Sequence, residues 1–175
     1  MKPRKAPKII ALALAVGVLF WLLPMERPGM ALARKTLGAW FSSVPVVTSQ
    51  ELDSWLKNTN RPAPQLLDVR TEAEFKVSHL ANARRVDEGI AVNALLATLN
   101  TNRPVVVYCA VGYRASVLAQ RMQRAGFTNV YNLQGAIFDW ASEERPMESE
   151  GKPATKVHPY NWAGRKLIEK KYQSE

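Results

Sequence analysis

Along most of this chain the spacing of apolar and polar positions switches between a period of two and a period near 3.6, and the switching predicts its elements. Residues 44–47 predict a first strand. Thr48 then opens a helix through a Thr-x-x-Glu capping box with Glu51, and Leu52, Trp55 and Leu56 line one face of it. Residues 60–64 are a turn-rich break, and residues 65–69 read as a short buried strand ending among the polar residues Asp68 and Arg70. A second capping box, Thr71 to Glu74, starts the next helix. Residues 84–86 predict a weak strand and residues 90–99 an amphipathic helix.

Arg103-Pro104 leads into Val105–Tyr108, a β-branched and aromatic run too short for a helix and apolar enough for a sheet centre, which ends at Cys109. From Ala115 onward, Leu118, Ala119, Met122 and Ala125 fall at helical spacing, and Gly126 stops that helix. Val130–Leu133 is another strand, and residues 137–140 form a last helical turn or two. This alternation predicts an α/β domain with a mainly parallel central sheet flanked by helices on both faces.

The two ends break the pattern. Lys2, Arg4, Lys5 and Lys8 precede an uninterrupted apolar run, residues 9–23, closed by Pro24. That is the layout of a signal peptide or a membrane anchor, and the run lacks the polar face of a core helix. Ala31-Leu32-Ala33 offers an A-x-A-like cleavage site ten residues further on. Residues 1–33 are therefore read as a targeting segment, cleaved or retained, and residues 34–45 as a tether. Slightly more basic charge before the run than after it leans toward export, with the domain periplasmic or lumenal and held to the membrane if the segment is uncleaved. Residues 148–175, rich in Lys, Pro and Gly and ending in a short amphipathic stretch, read as a basic surface appendage or a poorly ordered end.

Charge sharpens this division. The net charge of +9 resides in the ends: residues 1–45 hold seven Lys/Arg against one acid, and residues 151–175 six against two. The body, residues 46–150, is nearly neutral, which argues against nucleic acid as a partner. The single cysteine excludes a disulfide within the chain and a zinc site built on several thiolates.

The informative chemistry is a strand, then Cys109-Ala110-Val111-Gly112-Tyr113-Arg114, then a helix. In open α/β sheets, ligands collect beyond the carboxyl ends of the strands, where this loop must lie. A thiol there faces the positive end of the helix dipole and a set of backbone N–H groups, both of which favour thiolate. Gly112 lets the loop curl so that those N–H groups converge into an anion-binding nest. Arg114 adds a charge and a fork of donors for an oxyanion. Without that context, a lone cysteine after an apolar strand reads as an inert buried side chain.

At these residues the sequence resembles the rhodanese family, whose active loop is six residues beginning with the catalytic cysteine, often as Cys-x-x-Gly-x-Arg. Leu67-Asp68-Val69-Arg70 with Glu74-Phe75 and His79-Leu80 resembles the family's first signature. Ser116, Ala119, Ala125-Gly126-Phe127, Val130, Leu133, Gly135 and Trp140 resemble the stretch that runs to its C-terminal one. The likeness covers about residues 46–147. Ser78 stands where the family usually has glycine, and Ala81-Asn82 where Pro-Gly is common; Asn82 can keep the left-handed turn.

The resemblance implies a sulfurtransferase with no cofactor and no metal. Cys109 would take sulfane sulfur from a donor such as thiosulfate or polysulfide as a persulfide, and pass it to cyanide, a thiol or a protein acceptor. Residues 110–114 would cradle the sulfur, with Asp68 and Arg70 supporting as a brace or as an ordinary strand-end ion pair. Glu74 is engaged in its capping box, His79 is expected to be structural rather than a general base, and Trp140 to be core.

Two other readings compete. Cysteine-dependent phosphatases and arsenate reductases also set cysteine and arginine around an anion nest, but with Cys-x5-Arg; here the count is Cys-x4-Arg, a tighter cradle suited to one sulfur. The other is a membrane-tethered relay or binding module without turnover on small molecules.

Overall fold

The computed structural model describes residues 28–175. The basic start and apolar run lie outside the described residues. Among the described residues no helix is long and apolar enough to cross a membrane.

Five short strands build one parallel sheet: β1 (Val46–Val47), β2 (Gln65–Asp68), β3 (Arg84–Arg85), β4 (Val105–Tyr108) and β5 (Val130–Leu133), in the spatial order β1-β5-β4-β2-β3. β4 is the central strand, and all four of its residues are buried. Its pleat divides the core as a period of two requires. Val105, Val107 and Cys109 pack with Leu67, Leu95, Leu118 and Met122 on one face, and Val106, Tyr108 and Ala110 pack with Leu52, Leu66, Leu133 and Phe138 on the other. The expected α/β sheet with helices on both faces is present.

Helices α2 (Ser49–Lys57) and α3 (Glu72–Val77) begin as the sequence predicts, each through a complete capping box, Thr48 with Glu51 and Thr71 with Glu74. The helix expected over 90–99 is shorter, α4 (Val92–Leu96). Ala91 supplies no side-chain cap at its start, and at its end the Thr98 hydroxyl bonds the Leu95 carbonyl at 2.7 Å. After β4 comes α5 (Tyr113–Arg124), and after β5 comes α6 (Ala136–Ser142).

Both ends of the described chain differ from expectation. The first part of the tether and the residues just before it form a helix, α1 (Pro28–Trp40), which buries Met30. Arg34 pairs with Asp139 on α6, and beyond the helix Val44 enters the core beside the partly buried Phe41. Ala31-Leu32-Ala33 lies inside this helix. The 148–175 segment is no loose appendage either. The boundary at 147 falls inside a hairpin of β6 (Met147–Ser149) and β7 (Lys152–Ala154), and β6 is bonded to His79 through Glu148. Past the hairpin, Val157, Ile168 and Tyr172 are buried in the core that holds Trp140. A helix, α7 (Trp162–Leu167), lies between them and touches α1. Ile168 and Tyr172 come from the short amphipathic stretch at the end, whose apolar face packs on the body instead of lying loose on its surface.

Candidate active site

Cys109 follows β4 immediately and is 1% exposed. Two N–H groups at the start of α6 hold the first loop carbonyls, Ile137 on Cys109 at 3.1 Å and Phe138 on Ala110 at 3.2 Å. Gly112, the residue before α5, has φ +108°, and its N–H donates to the Cys109 sulfur at 3.1 Å. Any side chain here would be strained by that φ, and a Cβ would also come within 3.3 Å of the Asn132 amide. The curl expected of Gly112 is therefore what aims its N–H at sulfur.

Asn132 explains how the curl is kept. From β5 its amide donates to the Gly112 carbonyl at 3.1 Å and to the Ser116 hydroxyl at 2.7 Å, in a buried setting. A polar residue within an apolar strand, Val130-Tyr131-Asn132-Leu133, was the available signal for it.

Arg114 stands at the loop's far end, and its fork points at Glu74. Nη1 and Nη2 donate to the two carboxylate oxygens at 2.9 and 2.8 Å. One of those oxygens also accepts the Thr71 N–H and hydroxyl, so Glu74 caps α3 and anchors the loop arginine at once. Burial works against the charge of Arg114, but Glu74 and the neighbouring Cys109 sulfur outweigh it and hold the guanidinium above its ordinary range. Burial would raise Glu74, yet Arg114 and Thr71 lower it below the usual carboxylate value. Both Nη donors expected to meet an oxyanion are thus bonded to Glu74.

Asp68 and Arg70 form a buried pair beneath the loop, 0% and 1% exposed. Arg70 donates through Nη2 to Asp68 at 2.7 Å and also reaches the Ser78 carbonyl. Burial opposes the charge on Arg70, but Asp68 outweighs it and raises the guanidinium above its ordinary value. Asp68 lies opposite Tyr108 in the sheet, and the Val69 N–H bonds the Tyr108 carbonyl at 3.0 Å, one residue before Cys109. Ser78 has φ −172°, extended backbone that needs no glycine, and Asn82 has φ +61°, the left-handed turn expected of it.

His79 stacks on Phe75 with ring centroids 3.8 Å apart, its Nδ1–H donates to the Phe75 carbonyl at 3.0 Å, and Nε2 faces Glu148. Those contacts fit the structural role expected of it. Trp140 is buried, with its ring N–H on the Pro146 carbonyl at 2.9 Å.

The rim of the loop is completed by residues from the two ends of the described chain. Tyr113, half exposed, meets Phe41 edge to face at 5.9 Å. From the C-terminal segment, the Tyr160 ring lies over the Arg114 guanidinium at 4.7 Å.

A central parallel strand delivering a buried cysteine into a glycine-curled loop, with arginine at the start of the next helix, defines an α/β domain that holds one thiol against a backbone N–H. The chain belongs to the rhodanese-like domain family, which matches residues 48–143. Among curated relatives, it is 32% identical over 101 residues to the probable adenylyltransferase/sulfurtransferase MoeZ of Mycobacterium tuberculosis, covering 57% of this chain and 25% of that protein. It is 28% identical over 136 residues to the tRNA uridine(34) hydroxylase of Photorhabdus laumondii, covering 74% of this chain and 38% of that protein. The match thus spans well under half the length of either relative. Among solved structures, the rhodanese-like domain of the Anabaena Alr3790 protein superposes with TM-score 0.54 at 26% identity, covering 63% of this chain and 85% of that one. A Bacillus halodurans protein shares the fold at TM-score 0.60 and 18% identity, covering 76% of this chain and 96% of that one.

Proposed function

We propose that this protein is a sulfurtransferase that carries sulfane sulfur as a persulfide on Cys109. The observation that carries the reading is the Gly112 N–H aimed at the Cys109 sulfur from the turn before α5. A donor in that position stabilises the persulfide anion that forms on Cys109 and the negative charge that develops there during transfer. Family membership and the sulfurtransferase named among the relatives support the same chemistry.

With thiosulfate as donor, the Cys109 thiolate attacks the outer sulfur, the S–S bond breaks, and sulfite leaves with the bonding pair. Cyanide then attacks the outer sulfur of the persulfide, thiocyanate leaves, and the Cys109 thiolate returns. Charge and sulfur balance in both steps. A thiol or a protein acceptor would replace cyanide in the cell. The N-terminal basic and apolar segment would place this chemistry at or across a membrane.

The test is intact mass after incubation with thiosulfate or polysulfide, alongside thiocyanate formation. A gain of one sulfur lost in Cys109→Ser, together with thiocyanate release, is the expected result. No added sulfur on the folded, reduced protein would overturn the reading, and stable loading without release would turn it toward a relay module.

A further inference from the structure

The segments outside the family match frame the loop, and one of their side chains bears on which donor the site accepts. Tyr160 is a bulky residue with φ +67°, a conformation such residues adopt only when their surroundings impose it. The surroundings do so here. The Tyr160 N–H donates to His158 Nδ1 at 3.0 Å, and the Asn161 N–H donates to the Pro159 carbonyl at 2.8 Å. Asn161 then caps α7 through the Gly164 N–H at 2.9 Å, and Gly164 packs so tightly on the Pro159 carbonyl that a Cβ there would lie 1.9 Å from it. On either side, Val157 is bonded to Tyr172 and Ser174, and Ile168 is buried, so the strap is tied down at both ends.

What this strap presents is the Tyr160 ring, over the guanidinium face of Arg114. Arg114 is already bonded to Glu74 through both Nη atoms, and with the ring in place its side chain is only 11% exposed despite standing at the end of the loop. The other guanidiniums packed near the loop are also held by carboxylates, Arg70 by Asp68, with its Nη1 buried at an unpartnered position away from solvent, and Arg34 by Asp139. The remaining loop side chains, Ala110, Val111 and Tyr113, carry no charge. Thiosulfate brings a compact double negative charge that is bound best by open cationic donors. A hydropersulfide, R–S–SH, brings its sulfane sulfur on a slender chain and needs only backbone N–H groups.

We propose that Tyr160 is a specificity-determining residue which roofs Arg114 and so selects hydropersulfide donors over thiosulfate. The inference rests on the sulfurtransferase reading and names its substrate class. In the favoured step the Cys109 thiolate attacks the outer sulfur of R–S–SH and the S–S bond breaks. RS⁻ leaves with the bonding pair, and Cys109–S–SH keeps the proton.

The experiment follows the rate of Cys109 loading by rapid-quench intact mass on the full-length chain, at rising glutathione persulfide or thiosulfate. The wild type, Tyr160→Phe and Tyr160→Ala are compared. The wild type should half-saturate at lower persulfide than thiosulfate. Tyr160→Ala should lower the half-saturating thiosulfate concentration by about threefold or more, as expected for freeing a guanidinium face from a ring, with limiting rate and persulfide response unchanged. Tyr160→Phe keeps the ring and should match the wild type. An unaltered donor preference in Tyr160→Ala, or equal loss with both donors, overturns the proposal while leaving sulfur transfer intact. Failure of both donors to load Cys109 in the wild type overturns the proposal and the underlying reading together.

Discussion

Arg114 and Glu74, forty positions apart in sequence, meet in a two-pronged ion pair that joins the end of the cysteine loop to the first turn of α3. Because Glu74 also closes its own capping box, one carboxylate fixes both a helix start and the loop's cation.

Replacing it should therefore be felt in stability and in its pH dependence. Glu74→Gln should cost about 1–3 kcal/mol at neutral pH, since a charge-assisted contact is weakened at a nearly buried site. The sign with pH follows from the lowered carboxyl value: the contribution is fully present above the unfolded value near 4.5 and is lost as pH falls through the lower folded one. Urea unfolding from pH 7 to pH 3 should show the wild type losing stability below about 4.5 more steeply than Glu74→Gln.

Gly112→Ala tests the curl directly. The φ of +108° and the 3.3 Å approach to Asn132 make a methyl group strained there, and relief would swing the Gly112 N–H away from sulfur. Cys109 loading should slow by about 100-fold or more, in line with losing one preorganised donor, while stability falls by about 1–3 kcal/mol. Asn132→Ala should slow loading to a smaller extent, because it removes the tie on the Gly112 carbonyl and leaves the backbone free to keep its turn. Single-turnover loading monitored by mass checks both, and an Asn132→Ala effect larger than that of Gly112→Ala would contradict this ordering.

The sheet, both capping boxes and the Cys109 loop were legible because each is written locally: a run of alternating or apolar residues, Thr three positions before Glu, glycine between cysteine and arginine. The pairing of Arg114 with Glu74 was not, because Glu74 had a sufficient local explanation and its second contact arises only when β2 and β4 lie side by side. Phe41 and Tyr160 were hidden for a related reason. Helix α1 begins a few residues past an apolar run that draws the reading toward export, and the C-terminal strap buries single apolar residues separated by charged ones. The amphipathic stretch at the C-terminal end is visible in the sequence, but what its apolar face packs on is not.

Asp68→Asn should be among the most damaging single changes outside the loop. It leaves Arg70, 1% exposed and already holding one orphaned Nη1, as a buried charge without its carboxylate. The expected loss is about 3–5 kcal/mol, whereas Asp68→Leu with Arg70→Met together should cost less, because no charge is left behind. Thermal unfolding of the two variants side by side reads the difference, and a double variant less stable than Asp68→Asn would mean that the pair contributes net stability to the fold.

Tyr172→Ala tests whether the C-terminal segment belongs to the folded body. The ring is 7% exposed in the core that contains Trp140 and Met147, and its hydroxyl donates to Glu144 at 2.9 Å. Truncation leaves a cavity and removes that bond, so a loss of about 3–5 kcal/mol is expected, far above the few tenths typical of a surface site. The Tyr172 backbone also bonds Val157, the residue that anchors the strap carrying Tyr160. Loosening it should therefore uncover Arg114 and move thiosulfate loading in the same direction as Tyr160→Ala, at temperatures where the variant remains folded. A stability change below about 0.5 kcal/mol would favour the reading of residues 148–175 as an appendage and detach the strap from the site it roofs.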